Sequence, residues 1–291
     1  MTGGPTLHHP PERPYSVAST KSSVGVFRSS RSHPVMFWTK AKLLLFALLG
    51  RSRQGLAERA SDHLRKYKDR EVGPKYFWVE RLVPLCEVSA TEPHGSSYYW
   101  GQDLDGEPDT LWGLEGYSHA VGFFMGHPAS DTFKREMALV DGDKLLKTVQ
   151  GLGSPDYDLH HYDWYGGFLT RKEDADKYAK NSHVAVHHFW AKEGKREELL
   201  ENLLGFAEGT KVKEGGSVQS AAVLKEVNDM NLATLWIRTK TTDDFKFFQR
   251  TDAYKSLTEE LKAGGQIVTK TELHNSKAFN GSIDKEPKYI L

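Results

Sequence analysis

An internal repeat constrains this chain most, because two copies of one pattern fold into two copies of one unit, each with an apolar face to bury. The later copy reads as a strand from Val184 to Trp190, a turn at Ala191-Lys192-Glu193-Gly194, and a helix with Leu199, Leu200, Leu203, Leu204 and Ala207 at helical spacing. A strand from Val218 to Leu224, a polar hairpin turn through Asn228 and Asp229, and a strand from Leu232 to Thr239 follow. A second helix, capped by Thr241 or Thr242, carries Phe245, Phe248, Tyr254 and Leu257, and a strand from Ile267 to Leu273 closes the unit. The earlier copy runs in the same order. Glu92 matches Glu214 and Phe123 matches Phe245 at one offset of 122 residues, which predicts hairpins of equal length. They place Tyr98, Tyr99 and Trp100 on one strand and Leu111 to Tyr117 on the next. Upstream, Leu43 to Leu49 reads as the first strand, and Leu56, Ala60, Leu64 and Tyr67 as the stripe of the first helix.

Only the spacing between that helix and Glu92 departs from the pattern. Gly55 lies 37 positions before Glu92 but Gly194 only 20 before Glu214, so the first copy holds 17 extra residues, most simply placed near Gly73–Ala90. Trp78, Leu82, Leu85 and Cys86 make this block apolar, and two readings stay open: cover for an exposed sheet face, or a translated intron. The expected divisions are a disordered arm at 1–42, a first repeat at 43–150 with its insertion at 73–90, a linker at 151–182, a second repeat at 183–275 and a tail at 276–291. A four-stranded antiparallel βαββαβ sheet with both helices on one face needs its other face covered. The expected fold is therefore α+β, with the two sheets packed face to face as a dimeric α/β-barrel within one chain. Such a chain is complete as a monomer, and a homo-oligomer is also open. Tyr98, Trp100, Trp112 and Trp236 are candidates for the covered faces.

The bulk composition excludes several functions. Lys plus Arg and Asp plus Glu both number 39, so no net field draws the chain to nucleic acid. Cys86 is the single cysteine, which excludes an intrachain disulfide and a cysteine zinc site. Leu43–Leu49 is far shorter than the roughly 20 residues a membrane span needs. The Ser- and Arg-rich start has the composition of a mitochondrial transit peptide, but Pro10, Pro11 and Pro14 oppose an amphipathic helix. A flexible arm on a cytoplasmic protein is the preferred expectation, with a mitochondrial one as the alternative. His187 and His188 point to opposite faces of a strand, and His160, His161, Asp163 and Trp164 fall in the expected linker, so no metal site is expected.

In the second copy, "AKEGKREELLENLL", "KEGG" and "TDAYKSL" resemble the antibiotic biosynthesis monooxygenase family. In the first copy "TEPHGSSYYWGQD" and "LEGYSHAVGFFMGHPAS" resemble it too, and together the matches cover roughly two-thirds of the chain. The tandem arrangement is similar to fungal members of secondary-metabolite pathways, including terpenoid and polyketide clusters such as that for fumagillin. The resemblance implies ferredoxin-like repeats. It also implies oxygen insertion from O2 into a small hydrophobic, electron-rich substrate, commonly without an organic cofactor or metal. Such chemistry needs a base, hydrogen-bond donors and aromatic walls. We assign His127 as the base, Tyr117 as the donor to substrate and Glu115 as the orienter of the imidazole, with Tyr98, Trp100, His119 and Phe123 as substrate-binding residues. At the same offset the second copy has Ile237, Thr239, Thr241 and Gln249 opposite Glu115, Tyr117, His119 and His127, so the active pocket is expected in the first copy. A non-catalytic barrel that binds hydrophobic ligands, and an acid–base isomerase or cyclase, are the alternatives.

Overall fold

The computed structural model describes residues 35–42, 74–174, 181–213 and 217–283, in which eight antiparallel strands close into a barrel. In chain order the elements are β1 (Val35–Lys42), α1 (Pro74–Ser89), β2 (Gly95–Asp103), β3 (Thr110–Tyr117), a π-helical turn (Gly122–Gly126), a 3-10 turn (His127–Ala129), α2 (Asp131–Gly142) and β4 (Tyr157–Phe168). There follow β5 (His183–Ala191), α3 (Arg196–Lys213), β6 (Val218–Glu226), β7 (Leu232–Thr239), α4 (Thr242–Phe248), α5 (Asp252–Glu260) and β8 (Val268–Ser282). Around the barrel the order is β4-β1-β3-β2-β8-β5-β7-β6, with β6 returning to β4. Each half thus places its strands in the same sequence, and its last strand pairs with the other half.

The registers show where the two halves differ. Glu115 pairs with Tyr98 and Ile237 with Ala221, so the halves are offset by 122 on the outgoing hairpin strand but 123 on the incoming one. The equal hairpins expected from the sequence are therefore corrected: residues 104–109 connect the first and 227–231 the second. A slip of one residue exchanges the faces of a strand, so this correction decides which side chains correspond. Both incoming strands carry a bulge at equivalent places, Gly95/Ser97 and Val218/Ser220.

Strand residues of alternate parity face two different layers. Tyr99, Trp112, Leu114, Tyr162, Val186 and Trp236 belong to a core made from strands of both halves, the barrel interior. Tyr98, Trp100 and Leu111 pack instead with Trp78, Leu82 and Leu85 of α1 and Val140 of α2. Ala185, Phe189, Leu235 and Ile237 do the same beneath α3, α4 and α5. The four aromatic residues expected on covered faces therefore divide: Trp112 and Trp236 fill the interior, whereas Tyr98 and Trp100 lie under helices.

Five further expectations change. The first described strand is Val35–Lys42, inside the segment expected as an arm; its β-branched and aromatic residues suit a strand, and the Ser- and Arg-rich surroundings hide them. Leu43–Leu49 and the stripe at 56–67 lie outside the described residues. The block 73–90 expected as an insertion is helix α1, which stands between β1 and β2 where α3 stands between β5 and β6. Residues 43–73 separate β1 from α1, against 192–195 in the second half, so the added length precedes the helix. The expected linker contains β4, and β8 runs past the expected boundary at Asn275 to end at Ser282. The single helix expected after Thr241 is two, capped by the Thr241 and Thr251 hydroxyls, which accept from Asp244 N at 3.1 Å and Tyr254 N at 3.3 Å.

Candidate active site

Between the outer face of the first half's sheet and its helices lies a cavity of about 360 Å³. Trp78, Leu82 and Leu85 of α1 form one wall, and Tyr98 and Trp100 of β2 with Glu115 of β3 form the floor. Phe133 and Met137 of α2, and Tyr157 and Leu159 of β4, complete it near Phe123 and Phe124. Gly113 is required here because a Cβ would lie 2.8 Å from the Trp100 ring, which occupies that space. The Trp78 indole is anchored by donation from Nε1 to Leu145 O at 3.1 Å.

His127 enters this space from an irregular piece of chain. The π-helical turn leads directly into the 3-10 turn that begins at His127, and Ser130 then caps α2 by accepting from Phe133 N at 3.1 Å. The imidazole is buried, with Tyr98 at 5.2 Å and Phe133 at 5.1 Å between ring centroids. Its Nδ1 lies 2.8 Å from Glu92 Oε1. A carboxylate accepts, so Nδ1 carries the proton, and in the neutral ring Nε2 keeps its lone pair. Nε2 is buried without a hydrogen-bond partner. Burial pulls the imidazole pKa down, but the Glu92 hydrogen bond and the charges of Glu115 and Glu92 outweigh it and leave the value above its ordinary one.

Glu115 is buried at the polar end of the cavity and accepts from the Tyr117 hydroxyl at 2.9 Å. Burial raises its pKa, against the opposing effects of His127 and the Tyr117 hydrogen bond. Burial first and the Glu115 charge second also push the Tyr98 and Tyr117 phenols upward. A carboxyl group, an imidazole and the Tyr98 phenol thus share one weakly solvated corner of an otherwise apolar space, with the Tyr117 phenol behind the carboxyl group.

The structure brings His127, Glu115, Tyr98, Trp100 and Phe123 to this cavity. Tyr117 does not line it, and its hydroxyl is directed at Glu115. His119 is exposed, 6.2 Å from the His94 ring, and its Nδ1 accepts from Val121 N at 3.2 Å. The group that orients His127 is Glu92, which in the sequence only marks the register of the repeat. Nothing in its local pattern signals chemistry, and its partner is 35 residues away. Among the described residues no cluster of His, Cys, Asp and Glu is arranged to hold a metal ion.

No family model and no curated protein matches the sequence. In three dimensions the chain is similar to a putative monooxygenase of Fusobacterium nucleatum at 10% identity, over 90% of this chain and 100% of that one, with a TM-score of 0.61. It is also similar to a putative monooxygenase of Lactobacillus acidophilus at 11% identity, over 87% of this chain and 97% of that one, with a TM-score of 0.60. The fold is theirs. At this identity the likeness speaks for architecture, and the chemistry rests on the site. No helix among the described residues is long and apolar enough to cross a membrane.

Proposed function

We propose that the chain is a tandem duplicate of an antibiotic biosynthesis monooxygenase unit, and that its first-half cavity oxygenates an electron-rich polyketide or terpenoid intermediate of fungal secondary metabolism. The observation that carries this reading is the His127 imidazole, held by Glu92 through Nδ1 while Nε2 lacks a partner within a buried apolar site. His127 Nε2 takes a proton from an acidic C–H or O–H of the substrate. The Tyr98 hydroxyl donates to the polar end of the resulting anion, the Glu115 charge favours the imidazolium formed on His127, and Trp78, Trp100 and Phe133 exclude water from the site. In the cofactor-independent reaction the substrate supplies every electron that O2 accepts. An activated CH2 and O2 then become C=O and H2O, with one oxygen atom in each product.

Oxygen uptake in chelator-treated buffer, across a panel of hydroquinones, naphthols and activated-methylene compounds, tests this reading. The expected result is uptake in step with product formation. Turnover without uptake would instead support an isomerase or cyclase, and tight binding without turnover a ligand-binding barrel.

A further inference from the structure

Two segments that contribute to the cavity lining carry no formal charge. Residues 118–130, which include the π-helical turn, and residues 148–155 contain no Asp, Glu, Lys or Arg, in a chain that is 27% charged. They expose large apolar side chains: Met125 is 69% exposed, Leu152 60% and Val149 59%, with Val121 at 45%. Leu152, and Leu159 of β4, are at once cavity lining and exposed surface, so the apolar interior reaches the outer surface at these residues. Single exposed apolar residues are ordinary, whereas a contiguous rim around an apolar opening marks a contact surface.

We propose that this rim seats on an electrically neutral lipid bilayer, so that an apolar substrate passes from the acyl region into the cavity without crossing water. The missing charges favour this occupant. An anionic surface would call for a Lys or Arg girdle, and a polar protein partner for charged residues at the rim. The interior favours it too, because what fits there partitions into lipid. The surface does not depend on whether the cavity oxygenates what it holds.

Flotation of the full chain with phosphatidylcholine vesicles tests the proposal. Wild type should float, and Met125→Ser/Val149→Ser should bind at least about tenfold less. Val212→Ser, which removes an 83% exposed apolar side chain from α3 in the second half, should bind like wild type. The proposal is overturned if wild type does not float, or if the double variant and Val212→Ser float equally. It is also overturned if sedimentation velocity shows a wild-type dimer that Met125→Ser dissociates, which would make a second copy the occupant. Circular dichroism and thermal unfolding establish that each variant is folded, and vesicle binding is read separately from oxygen uptake.

Discussion

Beneath the first half's sheet the helices leave a hollow, while beneath the second half's sheet the matched strand positions belong to a buried apolar core. In the second half, Ala221, Val223, Leu235 and Ile237 stand where the first half has Tyr98, Trp100, Gly113 and Glu115, and all four belong to an apolar core. Phe245 and Phe248 of the regular helix α4 press into that core. In the first half the corresponding chain is a π turn followed by a 3-10 turn, which places His127 at the layer while Phe124 and Met125 face outward. One scaffold thus supports close packing in one half and a polar corner in a cavity in the other. The difference comes from a few strand positions and one distorted helix, in keeping with the frequent use of π-helical irregularities at functional sites.

The comparison breaks first if the two halves respond alike to loss of their matched residues. His127→Ala should lower kcat/KM by about 10²–10⁴, whereas Gln249→Ala at the equivalent position should change it less than about twofold; steady-state oxygen uptake checks both. Packing should show the reverse asymmetry. Phe248→Ala should cost about 3–5 kcal/mol, and Phe133→Ala about 1–2 kcal/mol because its ring already borders empty space. Denaturant unfolding gives both values.

Glu92→Gln sharpens the assignment. The Glu92 hydrogen bond raises the His127 pKa, so its loss should move the acid limb of the kcat/KM profile to lower pH, since the base is active when neutral. An unmoved limb would mean that His127 is not the titrating base. A smaller effect belongs to the second half and the barrel interior. Burial, together with His160, His274, His187 and Lys270, holds His188 well below its ordinary pKa, and burial with His274 holds His187 down to about 4. The unfolded chain therefore binds more protons below about pH 6.5, and stability is lost as pH falls through that value. Thermal midpoints between pH 7.5 and 5.5 should decline in wild type and less in His188→Gln.

Legibility in the sequence follows how simply each element is buried. Strands β5 and β7 have one side under helices and one in the barrel, and their largely apolar, β-branched and aromatic runs are readable despite His187, His188 and Arg238. Helix α1 is not, because it contains Pro84 and its apolar residues include Trp78, Leu82, Leu85 and Cys86 without a clear polar face. Strand β4 is hidden because its interior-facing positions include His160 and Tyr162 rather than aliphatic residues. His127 and Glu115 are legible as ionisable residues whose matched positions in the second half hold Gln249 and Ile237. The Glu92 contact joins a turn to a distorted helix, and no local periodicity records such a pairing.

Crystals pressurised with xenon test the asymmetry most directly, because xenon occupies dry apolar cavities. Density is expected among Trp78, Leu85, Trp100 and Phe133, and none among Leu235, Ile237, Phe245 and Phe248. Equal density beneath both sheets, or density only in the second half, would contradict a hollow confined to the first.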